Sequence, residues 1–329
     1  MPDGLRTHAR FPEVEPKAGH YESFYLKASD PASARALWVR YTVHKRPGEA
    51  PNGSLWCTLF TPDGPRAVKV TTPAASSPPD RYIQIGESVL GPGEVRGSAE
   101  AEGRSALWQL GFGTGEEALF HLPRGWMYTA PLPRTKLLSP YPNALFTGSA
   151  RLDGEQFELD GWPGMVGHNW GTEHAERWIW MHGTLFDHPG EAWLDIGIGR
   201  IKLGPMTAPW IANGVLCLDG IRHQLGGLER VRATKIGETP SGCDFTLPGK
   251  GIRVRGRVFA PAERFVGWVY ADPDGPEHNV VNCSIASMEL EVERDGVPPL
   301  RLRSDHGAAY ELGMRETDHG VEIQPFPDG

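Results

Sequence analysis

Nothing in this sequence runs apolar for long. No segment reaches the roughly 18 consecutive apolar residues that a membrane span needs, and Leu5, Phe11 and Val14 stand isolated among charges and prolines, so there is no secretory h-region. No integral membrane span is expected, and the cytoplasm is the expected compartment. Cysteine is scarce as well. Cys57, Cys217, Cys243 and Cys283 are widely spaced, form no C-x-x-C and fall inside strand-like runs. They read as reduced core residues rather than a disulfide frame or a zinc site. Positive charge is in the minority: 33 Lys and Arg against 41 Asp and Glu give a formal net charge of -8, the wrong balance for a surface that tracks phosphates. The one basic cluster, Arg253, Arg255 and Arg257, alternates with Ile252, Val254, Val258 and Phe259 and reads as the solvated face of a strand. No nucleic-acid partner is expected.

Helical periodicity is missing too. Short helices are expected at most over residues 31–35 and 116–121. Alternation dominates instead: Leu37, Val39, Tyr41 and Val43 share one face while Trp38, Arg40, Thr42 and His44 share the other. Similar runs cover residues 21–27, 54–60, 67–72, 104–112, 145–152, 177–186, 192–203 and 215–218, then 230–236, 252–259, 265–270, 280–292 and 308–312. The 41 glycines and 30 prolines fall between these runs, as in Pro47-Gly48, Asp153-Gly154, Asp219-Gly220 and Asp295-Gly296, which is how turns punctuate strands. Residues 73–79 read as a long hairpin loop or lid, and the proline-rich stretch 126–143 as extended coil. The pattern excludes βαβ architectures and leaves a sandwich or barrel, and 329 residues suit two domains. Gly111-Phe112-Gly113-Thr114-Gly115 has no strand–helix context and reads as a turn, and no G-x-S-x-G elbow is present.

Chemistry concentrates in residues 161–195, which hold five of the eleven tryptophans: Trp162, Trp170, Trp178, Trp180 and Trp193. An indole is large and amphipathic, so such enrichment suits either the wall of an apolar pocket or an aromatic plug. If the chain turns at Asp187-His188-Pro189-Gly190, facing residues pair His182 with Asp195, Trp180 with Gly197 and Trp178 with Gly199, all on one face. Glycine opposite tryptophan leaves room for an indole to lie flat across that strand. A carboxylate opposite His182 would raise its pKa and fix its tautomer, as a general acid requires. His168, Asn169, Trp170, Glu173 and His174 bunch polar groups beside aromatics. Their spacing matches neither H-E-x-x-H nor H-x-x-E-H, so no metal and no other cofactor is expected.

Gly167-His168-Asn169-Trp170-Gly171, followed by Glu176-Arg177-Trp178-Ile179-Trp180, resembles the hydroxyneurosporene synthase family of the AttH-like, lipocalin-like superfamily. Asn282-Cys283-Ser284-Ile285-Ala286 and Ala309-Tyr310-Glu311-Leu312-Gly313 look similar to it as well. The resemblance implies an all-β chain of two tandem lipocalin-like antiparallel barrels packed together, residues 1–172 and 173–329, with a cavity near their junction. It also implies chemistry on hydrophobic isoprenoids or polyenes without metal or nucleotide: hydration, cyclisation or isomerisation. Indole faces suit such chemistry because they attract a developing carbocation. Hydratases of that family carry an acid before the histidine and an aromatic two residues earlier, where this sequence has Gly167 and Met165. Asp195 acting through His182, Glu173 or Asp187 would have to replace that acid.

The expected catalytic groups are therefore His168 and His182 for proton transfer, with Asp195 orienting. Trp162, Asn169, Trp170, Glu173, Trp178, Trp180 and Trp193 are the expected ligand-binding residues. The expected partner is a hydrophobic small molecule, and a homodimer is compatible with the sequence. A carrier of an apolar metabolite without catalysis, and a scaffold whose barrels are filled by side chains, stand as alternatives.

Overall fold

The computed structural model describes residues 7–203 and 206–326; Leu5 lies outside them. The fold is all-β, its only helices among the described residues being single 3-10 turns such as Phe11–Glu13 and Gly125–Tyr128. The first sheet holds β1 (His20–Ser29), β2 (Ala36–Lys45), β3 (Asn52–Thr61), β4 (Gly64–Thr72), β5 (Ala75–Ser76), β6 (Ile83–Ile85), β7 (Ser88–Gly91), β8 (Glu94–Ala101), β9 (Arg104–Gly113), β10 (Leu119–Phe120), β11 (Thr135–Leu152) and β12 (Glu155–Gly171). The second holds β13 (Arg177–Gly183) and β14 (Ala192–Arg200), and a small hairpin of β15 (Lys202–Leu203) and β16 (Met206–Thr207) stands apart. It continues with β17 (Ile211–Leu218), β18 (Ile221–Gly226), β19 (Lys235–Thr239), β20 (Gly242–Pro248), β21 (Ile252–Phe259), β22 (Val266–Ala271), β23 (Glu277–Arg294) and β24 (Val297–Met314).

Every named pairing within the two sheets is antiparallel. In the first sheet the order is β4-β3-β2-β1-β12-β11-β9-β8-β7-β6-β5, and β4 returns against β8 and β9, so the sheet curls nearly closed. The second runs β18-β17-β14-β13-β24-β23-β21-β20-β19 and curls as a half-barrel, with a Leu225–Gly249 bridge between its ends. Two barrels packed together are the result, and the sheets part between Gly171 and Arg177.

Alternation explains which face goes where. Leu37, Val39, Tyr41 and Val43 point into the first barrel with Phe24, Leu26 and Val166. Trp38 and Trp56 point the other way and join the core of the second barrel, where their rings meet Trp268 at 6.3 and 4.8 Å. Each residue of β1 and β2 is consequently buried, on both faces. The polar members of the outer face take part: Lys27 Nζ donates to the Gly307 carbonyl at 2.6 Å, and Arg40 Nε donates to Ser23 Oγ at 2.6 Å.

Three expectations change. Residues 31–35 and 116–121 form no helix; the latter contributes the two-residue strand β10. Half of the proline-rich stretch is strand: β11 starts at Thr135 and absorbs Pro140 and Pro142 at register shifts between Leu138 and Ala144, where a missing N–H costs no ladder bond. Residues 73–79 supply the edge strand β5. The solvated face of β21 is as read: Arg253, Arg255 and Arg257 pair with Glu293 and Asp244 outside while Val254 and Val258 are buried. All four cysteines are free and buried, and no helix among the described residues is long and apolar enough to cross a membrane.

Because Trp38 belongs to one barrel by chain and to the other by packing, Trp38→Ala should cost about 3–5 kcal/mol. Urea denaturation is expected to show one transition shifted for both barrels; an unshifted midpoint would remove the indole from the interface.

Candidate functional site

The hairpin of β13 and β14 builds the site. His182 faces Asp195, Trp180 faces Gly197 and Trp178 faces Gly199, the pairing that the alternation predicts. Odd residues Ile179 and Met181 enter the second barrel's core, so Trp178, Trp180 and His182 project toward the first barrel. Trp178 Nε1 donates to Glu311 Oε1 at 3.0 Å, and Tyr270 Oη and Asn282 Nδ2 donate to the other oxygen of that half-buried carboxylate at 3.2 and 3.1 Å. Trp180 Nε1 donates to Asp195 Oδ1 at 3.2 Å. The Trp178 indole does not lie over Gly199. It lies across Gly313 on the other neighbouring strand, where a Cβ would stand 2.2 Å from the ring.

Asp195 is wholly buried. Ser139 Oγ donates to its Oδ2 at 2.5 Å, and His121 Nε2 lies 3.1 Å from Ser139 Oγ and 3.5 Å from Asp195 Oδ2. The other ring nitrogen of His121, Nδ1, faces the Asn213 carbonyl at 3.0 Å. Ser139 has given its only proton to the carboxylate, so its oxygen accepts from Nε2, and a carbonyl can only accept from Nδ1. Both nitrogens of His121 therefore face hydrogen-bond acceptors, beside a buried carboxylate. Burial pushes the Asp195 carboxyl up, but His121, His182 and the Ser139 hydroxyl outweigh it and hold the group below the usual Asp range.

His182 corrects an expectation. Its Nε2 donates to the Pro142 carbonyl at 3.0 Å, not to Asp195, and Nδ1 has no partner. Its pKa falls to about 4 instead of rising, because burial and the nearby Lys27 ammonium outweigh the pull of Asp195 and the Pro142 carbonyl. Lys27 itself is pushed down to about 7 by burial.

The other expected residues are not gathered here. His168 faces the interior of the first barrel, stacked 3.9 Å from Phe24 and 4.4 Å from Trp170, and its Nε2 donates to Glu22 Oε1 at 2.7 Å. Burial lowers its pKa, Glu22 opposing. Glu22 also accepts from the backbone N–H groups of Arg10 and Phe11 and sits at about 2: burial works against that, and His168 and His20 override it. Trp162 lies in the same barrel, stacked on Phe157. Trp170 packs on Tyr128 and Leu138, Trp193 packs under Leu119 with Val215 and Cys217, and Glu173 pairs with Arg134 near the surface. Asn169, next on the outer face of β12 after Met165 and Gly167, keeps its Oδ1 unpartnered. Gly167 carries no acid for a steric reason: the Tyr25 ring covers it, and a Cβ there would stand 2.2 Å from that ring. Sequence reasoning missed His121, Ser139 and Glu311. Glu311 lay in a motif run, but nothing local marked the other two.

A cleft of about 420 Å³ opens beside this network, lined by Phe120, Leu122, Tyr128, Asn213, Gln224 and Arg230 among others. Phe120 and Leu122 flank His121, so its ring stands one side chain behind the cleft wall.

No family model matches the chain. It is 27% identical over 293 residues to an uncharacterised protein of Mycobacterium tuberculosis, Rv0493c in strain H37Rv, covering 88% of this chain and 86% of that protein. Its structure is similar to that of a candidate AttH (NE1406) from Nitrosomonas europaea, with a TM-score of 0.56, 11% identity and coverage of 95% of this chain and 98% of that one. It is also similar to kievitone hydratase from Nectria haematococca, with a TM-score of 0.50, 10% identity and coverage of 95% and 94%. These likenesses show a shared fold, and with the AttH candidate the resemblance read from the 167–171 and 178–180 motifs is met again in it.

Unfolded His182 titrates near 6.5 and folded His182 at about 4, so between those values the unfolded chain binds the extra proton and stability is lost as pH falls. The loss attributable to this group approaches about 3 kcal/mol. His182→Gln should flatten that slope in urea midpoints taken between pH 4 and 7; an unchanged slope would mean that His182 is not held neutral.

Proposed function

We propose that this protein is a hydratase-type enzyme that moves protons with its own side chains and acts on a hydrophobic isoprenoid or polyene, by hydration, cyclisation or isomerisation. The observation that supports it is the His121–Ser139–Asp195 network: a histidine and a carboxylate, both buried and joined through a serine, directly behind an aromatic-edged cleft. Burying such a pair is a poor way to gain stability, and perturbed titratable groups beside a cleft are where acid–base chemistry is found. The relationship of fold to kievitone hydratase lends hydration further support.

In this reading His121 is the acid. A substrate seated against Phe120 and Tyr128 takes the place of the Asn213 carbonyl as acceptor of the Nδ1 proton. The ladder of β10 is two residue pairs long, which leaves this segment free to admit it. The alkene π electrons take the proton from Nδ1, leaving a carbocation that the Phe120 and Tyr128 faces attract. Water adds to the cation and returns a proton to the imidazole; loss of a neighbouring C–H proton to the same nitrogen gives isomerisation instead. Asp195 stays ionised throughout and, through Ser139, positions His121. Trp178 and Trp180 are positioning residues that hold the carboxylates. His168, inside the first barrel, takes no part.

A carrier is less well supported, since a carrier needs room for its cargo and the interior of the first barrel is filled by Leu37, Val39, Tyr41, Trp108 and Phe146 and their neighbours.

The test is incubation with a panel of terpenoid and polyene alkenes in D₂O, read by mass spectrometry for deuterium or water gained. Turnover is expected, with His121→Gln and Asp195→Asn each lowering it about 10²–10⁴-fold while circular dichroism stays native. Full activity in both variants would remove the network from catalysis, and tight binding without product would favour the carrier.

A further inference from the structure

We infer that His174, Asp272 and His278 form a binding site for a divalent transition-metal ion of the zinc class. His174 stands in the connection between the sheets, Asp272 follows β22, and His278 is in the first turn-proximal part of β23. All three are buried, at 8%, 5% and 0% exposure, and one ligand atom from each lies within 4.8 Å of the others. His174 Nδ1 is 2.8 Å from Asp272 Oδ1, and His278 Nδ1 is 3.8 Å from Asp272 Oδ2.

The unpartnered atoms are the second observation. His174 Nε2 and Asp272 Oδ2 are buried without a hydrogen-bond partner. Leaving one such group unmet costs about 1–3 kcal/mol, so unmet polar atoms within one buried cluster call for something to fill them. Two imidazoles and a carboxylate are a common donor set for zinc and its neighbours, three protein ligands leaving a position for solvent.

The surroundings fix the donors. Tyr21 and Trp178 stack on the His174 ring at 3.8 and 5.2 Å, with interplanar angles of 17° and 21°, which locks its plane. The His174 backbone N–H donates to Asp272 Oδ1 at 2.7 Å and turns the carboxylate inward, the supporting contact that metal ligands need. Arg315, the cation nearest the carboxylate, stands 3.9 Å from Asp272 Oδ2 but is held outward by the Pro276 and Glu277 carbonyls and by Glu176. An ion here would tie the inter-barrel connection to the β22–β23 hairpin. The site is separate from the Asp195 network and does not depend on the proposed reaction.

The experiment titrates untagged, chelator-treated, full-length protein with Co²⁺ and then Zn²⁺. One ion per chain is expected, with the visible d–d absorption of a tetrahedral or five-coordinate cobalt site that Zn²⁺ abolishes, and a higher melting temperature. His278→Gln and Asp272→Asn should each weaken binding roughly tenfold or more. Wild-type uptake decides the matter even if a variant fails to fold: no stoichiometric cobalt spectrum in the folded wild type overturns the site, as does equal affinity in both folded variants.

Discussion

Burial of β1 and β2 on both faces is the constraint from which the rest of the structure follows. One face of each strand is mainly apolar and fills the first barrel, with Glu22 and His20 of β1 as its polar members. The other carries Tyr21, Ser23, Tyr25, Lys27, Trp38, Arg40 and Thr42, and the second barrel removes it from water. A polar group in such a layer must find a partner or cost about 1–3 kcal/mol. Lys27 reaches a backbone carbonyl and Arg40 a serine hydroxyl, and the second barrel answers with Glu311, Asp195, Asn282 and Asp272 on its own facing strands. The junction is therefore a polar and aromatic stratum between two apolar cores.

That stratum explains what was legible in the sequence. Alternation located most strands, and it placed His182 opposite Asp195 because one short hairpin sets both. The same alternation set Arg40, Thr42 and His44 on one face without saying what covers it, since period two separates faces and nothing more. The environment of His182 was out of reach for that reason. Lys27 and Pro142, which determine its charge and its hydrogen bond, arrive from β1 and β11. His121 was hidden differently: residues 116–121 are too short and irregular to declare a strand, and the histidine gains meaning only when Ser139 and Asn213 close around it. His174 lies 98 residues before Asp272 in the chain, so no spacing rule could join it to Asp272 and His278.

Gly167 shows how a missing residue can be structural. The position before the motif histidine faces the junction, and the Tyr25 ring from the neighbouring strand already occupies the volume that a side chain would need. Met165, Tyr25, Trp180 and Ala309 then pack as one small cluster. With the Tyr25 ring in this place, a side chain at 167 does not fit without moving it.

The concentration of tryptophan follows from the same geometry. Indole has a donor and no acceptor, and on β13 each one hands its N–H to a carboxylate: Trp178 to Glu311, Trp180 to Asp195. A donor of pKa far above any carboxylate stabilises the ionised form without offering it a proton, while its rings fill the layer. Histidine in the same place would share its proton with the carboxylate and blur which group is charged. Where no carboxylate is near, as for Trp193 and Trp268, the indole N–H goes unpartnered and the ring serves packing alone. The β13 tryptophans thus tie two carboxylates into the interface between the barrels while their rings fill it.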